Sequence, residues 1–449
     1  MNRFDEDVVV IGSGFGGSVS ALRLVEKGYR VRVLEAGRRF EDKDFARTSW
    51  NLRRYLWAPA LGCFGVQRIH RLPHVMILAG AGVGGGSLNF ANTLYEPGSP
   101  FFNDPQWREI ADWAAELAPH YATAKRMLGV VEQYPHTGPV ERMMQGAAED
   151  LGVGSTFRRA PVGVFLGTPG VRVPDPFFGG EGPERTGCTL CGNCMVGCRV
   201  GAKNTLMKNY LALAERRGAQ IDALRTVTRV RELPDGGFAV TSRRSGAWAR
   251  PDERTITASK VVLAAGTWGT QQLLHRMRAS GDLPRVSSSI GVLTRTNSEA
   301  LDGAVATSVP VSAELTRGVA ITTSFHVDER THVENVRYGP GSNLMGALAT
   351  VMVPGELSFA GRLGRLFGQV LRHPVRQFRL GSLRRWSDRG IIALVMQTAD
   401  NSLTLSLRRR FGRDVLTSAQ GHGEPNPAHL PQAHRAARAI AARLEQEGG

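Results

Sequence analysis

Four of the five cysteines fall within eleven residues, as Cys188-x-x-Cys191-x-x-Cys194-x-x-x-Cys198. Thiolates at this spacing can cap one face of an iron–sulfur cluster. Four of them also suit a tetrahedral zinc, and reduced structural thiols or a disulfide need no metal at all. Arg185, Arg199 and Lys203 stand close in sequence, and their charge favours the thiolate. No proline follows Cys198 and no second run shares ligands, so the match to a 4Fe–4S loop is partial. A different chemistry sits at the start of the chain. Gly12, Gly14 and Gly17 form a G-x-G-x-x-G turn, and Glu35 follows about 20 residues on, where a carboxylate accepts hydrogen bonds from a ribose diol. Backbone without side chains can approach a pyrophosphate, whose charge then rests on a helix N-terminus.

The elements that must hold these residues can be read from pattern. Asp7 to Ile11 is a short apolar strand, a helical run follows to Lys27, Gly28 stops it, and Tyr29 to Leu34 forms a second strand. This register of strand, helix, strand and acid defines a dinucleotide site. Residues 100–128 and 140–152 read as helical, and 153–186 as irregular. Asn204 to Arg217 reads as a helix, and Arg225–Arg231 with Gly237–Arg243 as a hairpin around Pro234-Asp235-Gly236-Gly237. Val261 to Ala265 is a buried strand leading into Gly266 and a helix. The chain closes on a helix from Gln432 to Glu447. A second glycine block lies between Gly80 and Gly86, five glycines in seven positions. Its bare backbone at Gly82, Gly84, Gly85 and Gly86 can approach a flat ring or a pyrophosphate, which favours FAD over a nicotinamide cofactor. A tight loop without a ligand is the plain alternative.

The net charge of +16 implies an acidic partner or surface. No helix-turn-helix, zinc-finger or RRM signature supports nucleic acid. From Ser358 to Ser387 there are seven arginines and no acid, interleaved with Leu363, Leu366, Phe367, Val370, Leu371, Val375 and Phe378. Such a mixture suits an interfacial helix on anionic lipid, or a solvated cover helix, with a break at Pro374. The run Val75 to Leu88 is too short and glycine-rich to span a bilayer. The first strand begins by residue 7 and leaves no room for a signal peptide, so the expectation is a cytoplasmic protein, peripheral to the membrane if the basic stretch docks.

Residues 7–37, the G-x-G-V-G-G-G-S-L-N block at 80–89 and V-V-L-A-A-G-T at 261–267 together resemble the glucose–methanol–choline (GMC) oxidoreductases, most closely the bacterial cholesterol oxidase branch. The resemblance implies an α/β fold: a Rossmann-like FAD domain in residues 1–119 and 187–290, and a substrate domain with a mixed or antiparallel sheet in 120–186 and 291–449. It implies that Gly12, Gly14 and Gly17 wrap the FAD pyrophosphate and Glu35 holds the ribose. Gly82, Val83, Ser87 and Asn89 (or Asn92 in its place) would approach diphosphate and flavin. Val227 would meet adenine by its backbone, and Gly266 would close the strand beside it.

The implied reaction is oxidation of a sterol 3β-hydroxyl, or another bulky alcohol, by hydride transfer to FAD. Oxygen or an electron carrier is then the acceptor. Isomerisation of a 5-ene to a 4-ene ketone would need a carboxylate near Glu334, with Asn297 in a cavity-lining block; a surface Glu334 paired with Arg330 or Arg337 is the bland alternative. If Glu334 lies on a strand, Val336 shares its face and Val333 and Asn335 turn away. The family's C-terminal His and Asn segments, H-x-x-G-G and G-x-N-P, are not found. Gly423 to Pro427, beside His422, echoes the second and reads as structural. His70, His74, His326 and His332 are lone histidines, each expected to be a core or surface residue. Two alternatives stay open: a flavin-binding chain without turnover, and an Fe–S-containing FAD alcohol dehydrogenase in which the cysteines pass single electrons onward.

Overall fold

The computed structural model describes residues 3–247, 252–309, 314–410 and 412–448. The opening strand forms over Glu6–Ile11, the helix over Phe15–Val25 and the second strand over Val31–Leu34. They belong to a six-stranded sheet. Its order is Gln220–Asp222, Val31–Leu34, Glu6–Ile11, Arg254–Leu263, Phe238–Arg244 and Arg225–Glu232. The first four strands run parallel and the last two add antiparallel, as the hairpin read around Pro234 requires. Strand alternation sends Val8 and Val10 to one face, where Ala21, Leu22 and Val25 of the first helix and Leu211 and Ala214 of the helix Tyr210–Arg216 cover them. Val9 and Ile11 face the other way, against Leu273 and Met277 of the helix Gly266–Ala279. Both faces of the opening strand are buried, which explains its unbroken apolar run.

The helix expected from Asn204 starts later. Residues Leu206–Lys208 make a single 3-10 turn, and the Asn209 side chain caps Tyr210–Arg216. Asn and Thr ahead of that cap favour local hydrogen bonds over helix, which is why the earlier start fails.

A second, antiparallel sheet runs in the order Glu299–Val305, Gly390–Gln397, Thr331–Val336, Thr323–Asp328 and Arg158–Arg159. One face packs Phe325, Val333, Ala393 and Val395 onto Met143, Met144 and Ala147 of the helix Pro139–Asp150 and onto Ala433, Ala436 and Ile440 of the closing helix Pro431–Gly448. Glu141 and Arg337, each with 3% of its side chain exposed, pair beneath that interface, and the Thr322 hydroxyl donates to the Glu141 carboxylate at 2.6 Å. Breaking a buried pair of this kind costs about 3–5 kcal/mol. The other face of the sheet turns toward a large cavity shared with the first sheet. A ribbon of Asn401–Arg410 and Arg413–Gly423 closes one side, its Leu405 and Leu416 packed on Leu72.

Candidate active site

A single cavity of about 2610 Å3 reaches from the first glycine turn to the free face of the second sheet. At one end, Gly12 takes φ +98 and its N–H donates to the Leu34 carbonyl at 2.9 Å, so the chain leaves the sheet where the helix begins. A Cβ on Gly17 would stand 1.9 Å from the Gly12 carbonyl oxygen; only glycine lets turn and helix close this far. Gly14 caps the helix, and no side chain supplies a capping hydrogen bond there. Its open N–H groups and dipole suit a diphosphate. Glu35 lies 7% exposed at the end of the second strand. One carboxylate oxygen accepts from the Ser13 N–H at 3.0 Å and hydroxyl at 2.8 Å, the other from the Gly37 N–H at 2.7 Å.

The second glycine block meets the first. A Cβ on Gly85, itself at φ +53, would lie 2.6 Å from the Gly14 Cα. Gly80, Gly85, Gly86, Asn89 and Phe90 line the cavity with Gly14, Gly16, Val227, Thr226, Ala265 and Gly266. Built Cβ atoms on Gly16, Gly86 and Gly266 meet nothing within 4 Å, so bare backbone faces open space along one wall. That groove, with an uncapped helix N-terminus at one end and Glu35 beside it, fits an extended FAD molecule.

Three of the residues expected at the flavin stand behind this wall. Gly82, Val83 and Ser87 are buried and do not line the cavity. Val83 packs in the core with Val8 and Leu22. Ser87 bridges its own loop, donating to the Gly84 carbonyl at 2.7 Å and accepting from the Leu206 N–H at 3.0 Å. They build the bed rather than touch what lies on it. Asn89 does line the cavity, its amide donating to Gln67 Oε1 at 2.9 Å, whereas Asn92 is wholly buried at φ +76.

Glu334 sits on the strand Thr331–Val336, 3% exposed and on the cavity wall with Val336, Leu394 and Met396. Val333 and Asn335 point away, Val333 into the core and Asn335 into bonds from Thr322 and Thr323. The surface ion-pair alternative fails. Arg330 pairs with Glu424 and Arg337 with Glu141, so neither is left for Glu334. Burial, reinforced by the Glu299 carboxylate, pushes the Glu334 carboxyl up to about 8. Asn297 also lines the cavity, but exposed, with its amide donating to Glu299. Asn426 and Pro427 reach the wall too. The Asn426 amide is bound to the Ser402 carbonyl and Gln420 Oε1, a structural role for the loop after Gly423.

Sequence reasoning missed the hairpin Gln67–Arg71 with Met76–Gly80. Gln67, Arg68 and His70 line the cavity, and His70 stacks on Trp268 with ring centroids 4.4 Å apart. Burial, then Arg68, lowers His70 to about 4. The period-two spacing of Arg68 and His70 was the available signal. His326 and His332 are not isolated either; their rings stack at 4.7 Å.

The cysteine loop departs from the metal expectation. Among the described residues no three His, Cys, Asp or Glu side chains gather to hold a metal ion, and all five thiols are free. The cations thought to favour thiolate bind carbonyls, and the pull of Lys203 on the Cys194 thiol is outweighed by burial. Arg185 donates to Gly201 and Ala202 at 3.1 and 2.7 Å, Arg199 to Lys43 and Phe45, and Lys203 to Leu88, Phe90 and Cys194 at 2.6 to 3.1 Å. Burial pushes the Cys188 thiol up to about 12 and Cys194 up to about 11. Cys188 packs with Tyr134, Val164 and Val336 as a small apolar residue, and the loop is a buttress beside the flavin bed.

Residues 183–285 match the GMC oxidoreductase family, and residues 10–40 an NAD(P)-binding Rossmann-like domain. The chain is 55% identical over 454 residues to a cholesterol oxidase of Mycobacterium tuberculosis, spanning 99% of this chain and 78% of that one. It is 40% identical over 447 residues to a cholesterol oxidase of Acinetobacter baumannii, spanning 97% and 79%. The crystal structure of pyridoxine 4-oxidase from Mesorbium loti shares the fold, with TM-score 0.50 and 15% identity over 99% of this chain and 80% of that one. The chain belongs to the GMC oxidoreductase family. Within it the chain falls in the cholesterol oxidase branch, as an FAD-dependent oxidoreductase acting on an alcohol.

Proposed function

We propose that the protein oxidises the 3β-hydroxyl of a sterol and then moves the ring double bond from the 5-ene to the 4-ene position. In this reading residues 1–119 and 187–290 hold FAD, and residues 120–186 and 291–449 hold the sterol. Gly12, Gly14 and Gly17 present the helix N-terminus to the diphosphate. Glu35 faces the ribose, Asn89 and Gly86 the flavin side, and Val227 and Gly266 the adenine side. Bound FAD supplies the acceptor for the carbinol hydride, with oxygen or an electron carrier as the final oxidant. Glu334 carries the second step. Its carboxylate takes a proton from C4 of the 5-ene ketone as the double bond shifts, and the resulting acid returns a proton to C6. The apolar wall of Val336, Leu394 and Met396 around one carboxyl is the observation that carries the reading, since burial among apolar side chains lifts the carboxyl to about 8, where it can both take and return a proton. Asn297 orients Glu299 beside it.

The test is the FAD-loaded chain with cholesterol, following conjugated enone by ultraviolet absorbance and peroxide by a coupled assay. The expected result is enone formation, with Glu334→Gln accumulating the unconjugated ketone. Equal enone yields from both proteins would refute the role of Glu334.

The same reading draws the substrate from a membrane. Among the described residues no helix is long and apolar enough to cross one. The basic stretch instead forms two helices, Phe359–Arg372 and Pro374–Gly381, broken at Pro374. Phe367, Leu371, Val375 and Phe378 stand 66, 80, 63 and 80% exposed among Arg362, Arg365, Arg372, Arg376 and Arg379. A protein peripheral to an anionic leaflet from the cytoplasmic side accounts for apolar rings and arginines exposed together. Trp386 and Leu383, at the end of the same stretch, fold back toward Gly346, and Trp386 is buried.

A further inference from the structure

The carboxyl that moves a proton in the second step must be ionised before it can act, yet Glu334 is 3% exposed and set in an apolar stretch of wall with Val336, Leu394 and Met396. Its strand neighbours offer a way out. His332 lies two residues earlier on the same face of the strand Thr331–Val336, with its Nδ1 3.9 Å from Glu334 Oε1. His326 is the cross-strand partner of His332, and the two imidazoles stack with centroids 4.7 Å apart and planes 27° apart. Tyr95 roofs the row. Its ring stands edge-on to His332 at 5.2 Å, and its hydroxyl donates at 2.9 Å to Ser324, the cross-strand partner of Glu334. Exposure rises along the row, from Glu334 at 3% to the His332 side chain at 21% and to an exposed His326. The cavity wall includes Glu334 but neither histidine, so the row leads away from the chamber.

We propose that His332, with His326 stacked on it, is the path by which the Glu334 carboxyl exchanges its proton with solvent. The proposal rests on the reading of Glu334 as the mobile carboxyl. Glu334 gives its proton to His332 Nδ1, across a gap that one water or a small rotation of the carboxyl closes. The imidazolium then releases its other ring proton to water, which leaves a carboxylate and a neutral histidine. The reverse sequence restores the acid. Other charges face the row: Glu299 toward Glu334, and Arg158 and Asp328 beside His326. Burial, and after it His326, lowers His332 to about 4, so the imidazolium is only a carrier in transit.

The experiment transfers the FAD-loaded chain rapidly into heavy water and follows the protonated Glu334 carboxyl by infrared absorption, the band being the one lost in Glu334→Gln. His332→Phe keeps a ring against Tyr95 and removes the proton carrier; we expect exchange slowed by at least about tenfold. His326→Ala, at an exposed position, slows it less. Equal exchange rates in the parent and His332→Phe overturn the proposal, as does a parent with no band lost in Glu334→Gln. If His332→Phe fails to fold, judged by flavin absorbance and melting, His326→Ala decides, and an unchanged rate there overturns it. The readout needs no turnover, so an inactive chain would refute the sterol reading while leaving this result interpretable.

Discussion

Ser13 Oγ donates to Glu35 Oε2 at 2.8 Å, fastening the turn after the first strand to the end of the second. Ser13 Oγ also accepts from the Gly84 N–H at 3.0 Å, so one hydroxyl links the acid to both glycine beds.

Glu35→Ala therefore removes more than a ribose contact. The Ser13 and Gly37 N–H groups lose their acceptor, at a cost of about 1–3 kcal/mol each if left unpaired in the interior. The expected outcome is a lower urea midpoint and weaker FAD uptake, read by flavin fluorescence. Ser13→Ala keeps those two backbone bonds and loses less. An equal effect of both changes would show that the acceptor role of Glu35 is not what stabilises this corner.

Two neighbouring glycines separate fold from cofactor. A methyl on Gly17 would collide with the Gly12 carbonyl, whereas one on Gly16 meets no protein atom within 4 Å. Gly17→Ala is expected to destabilise the protein by about 1–3 kcal/mol, as overpacking does. Gly16→Ala should melt with the parent yet bind FAD more weakly, because the new methyl projects into the groove. Parent-like FAD affinity in Gly16→Ala would place the cofactor elsewhere.

Glu334 predicts two opposite trends with pH. Its folded value, about 8, lies above its ordinary 4.5, so between those values the native state binds more protons than the unfolded state. Stability from this group is complete below about 4.5 and falls as pH rises toward 8. Isomerisation needs the carboxylate and rises over the upper part of the same range. Urea unfolding of the parent and of Glu334→Gln across that range checks the first trend, the variant giving the flatter curve. Direct assay of 5-ene ketone conversion checks the second, and a rate that falls with pH would contradict it.

The exposed helices predict salt-sensitive binding to anionic vesicles. Complete burial of one phenylalanine is worth roughly 1.5–3 kcal/mol, and each arginine near the lipid surface about 1 kcal/mol. Phe367→Ser with Phe378→Ser should release the protein from sedimenting vesicles while leaving its activity on detergent-dispersed sterol unchanged. Retention of the double variant on the vesicles would remove this surface from the account.

The residues best legible in the sequence were those whose chemistry is local. Gly12 to Glu35 sits in one continuous stretch, and its strands and helix fall within a few residues of their expected bounds. The hairpin around Pro234 was local in the same way. The side shared by Glu334 and Val336 followed from the sequence once a strand was supposed there, because period two is a backbone property. What the sequence hid depends on pairing between distant strands. Nothing in the spacing of His326 and His332 sets their register, so two stacked rings read as solitary. The cysteine spacing suited a cluster, yet Arg185 and Lys203 are taken up by carbonyls of Gly201, Ala202, Leu88, Phe90 and Cys194, which the spacing does not reveal. Gly82, Val83 and Ser87 face inward from a glycine-rich motif whose Gly85 and Gly86 face the cavity, a distinction that only the packing of Leu206 and Phe40 reveals.

Gly14 and Gly85 nearly touch although some seventy residues separate them in the chain. A contact between such remote segments closes a long loop, at an entropic cost that neither segment meets alone. The bed for the cofactor is thus finished only after both halves have docked. A chain in which those two segments have not met offers flavin only half of its bed.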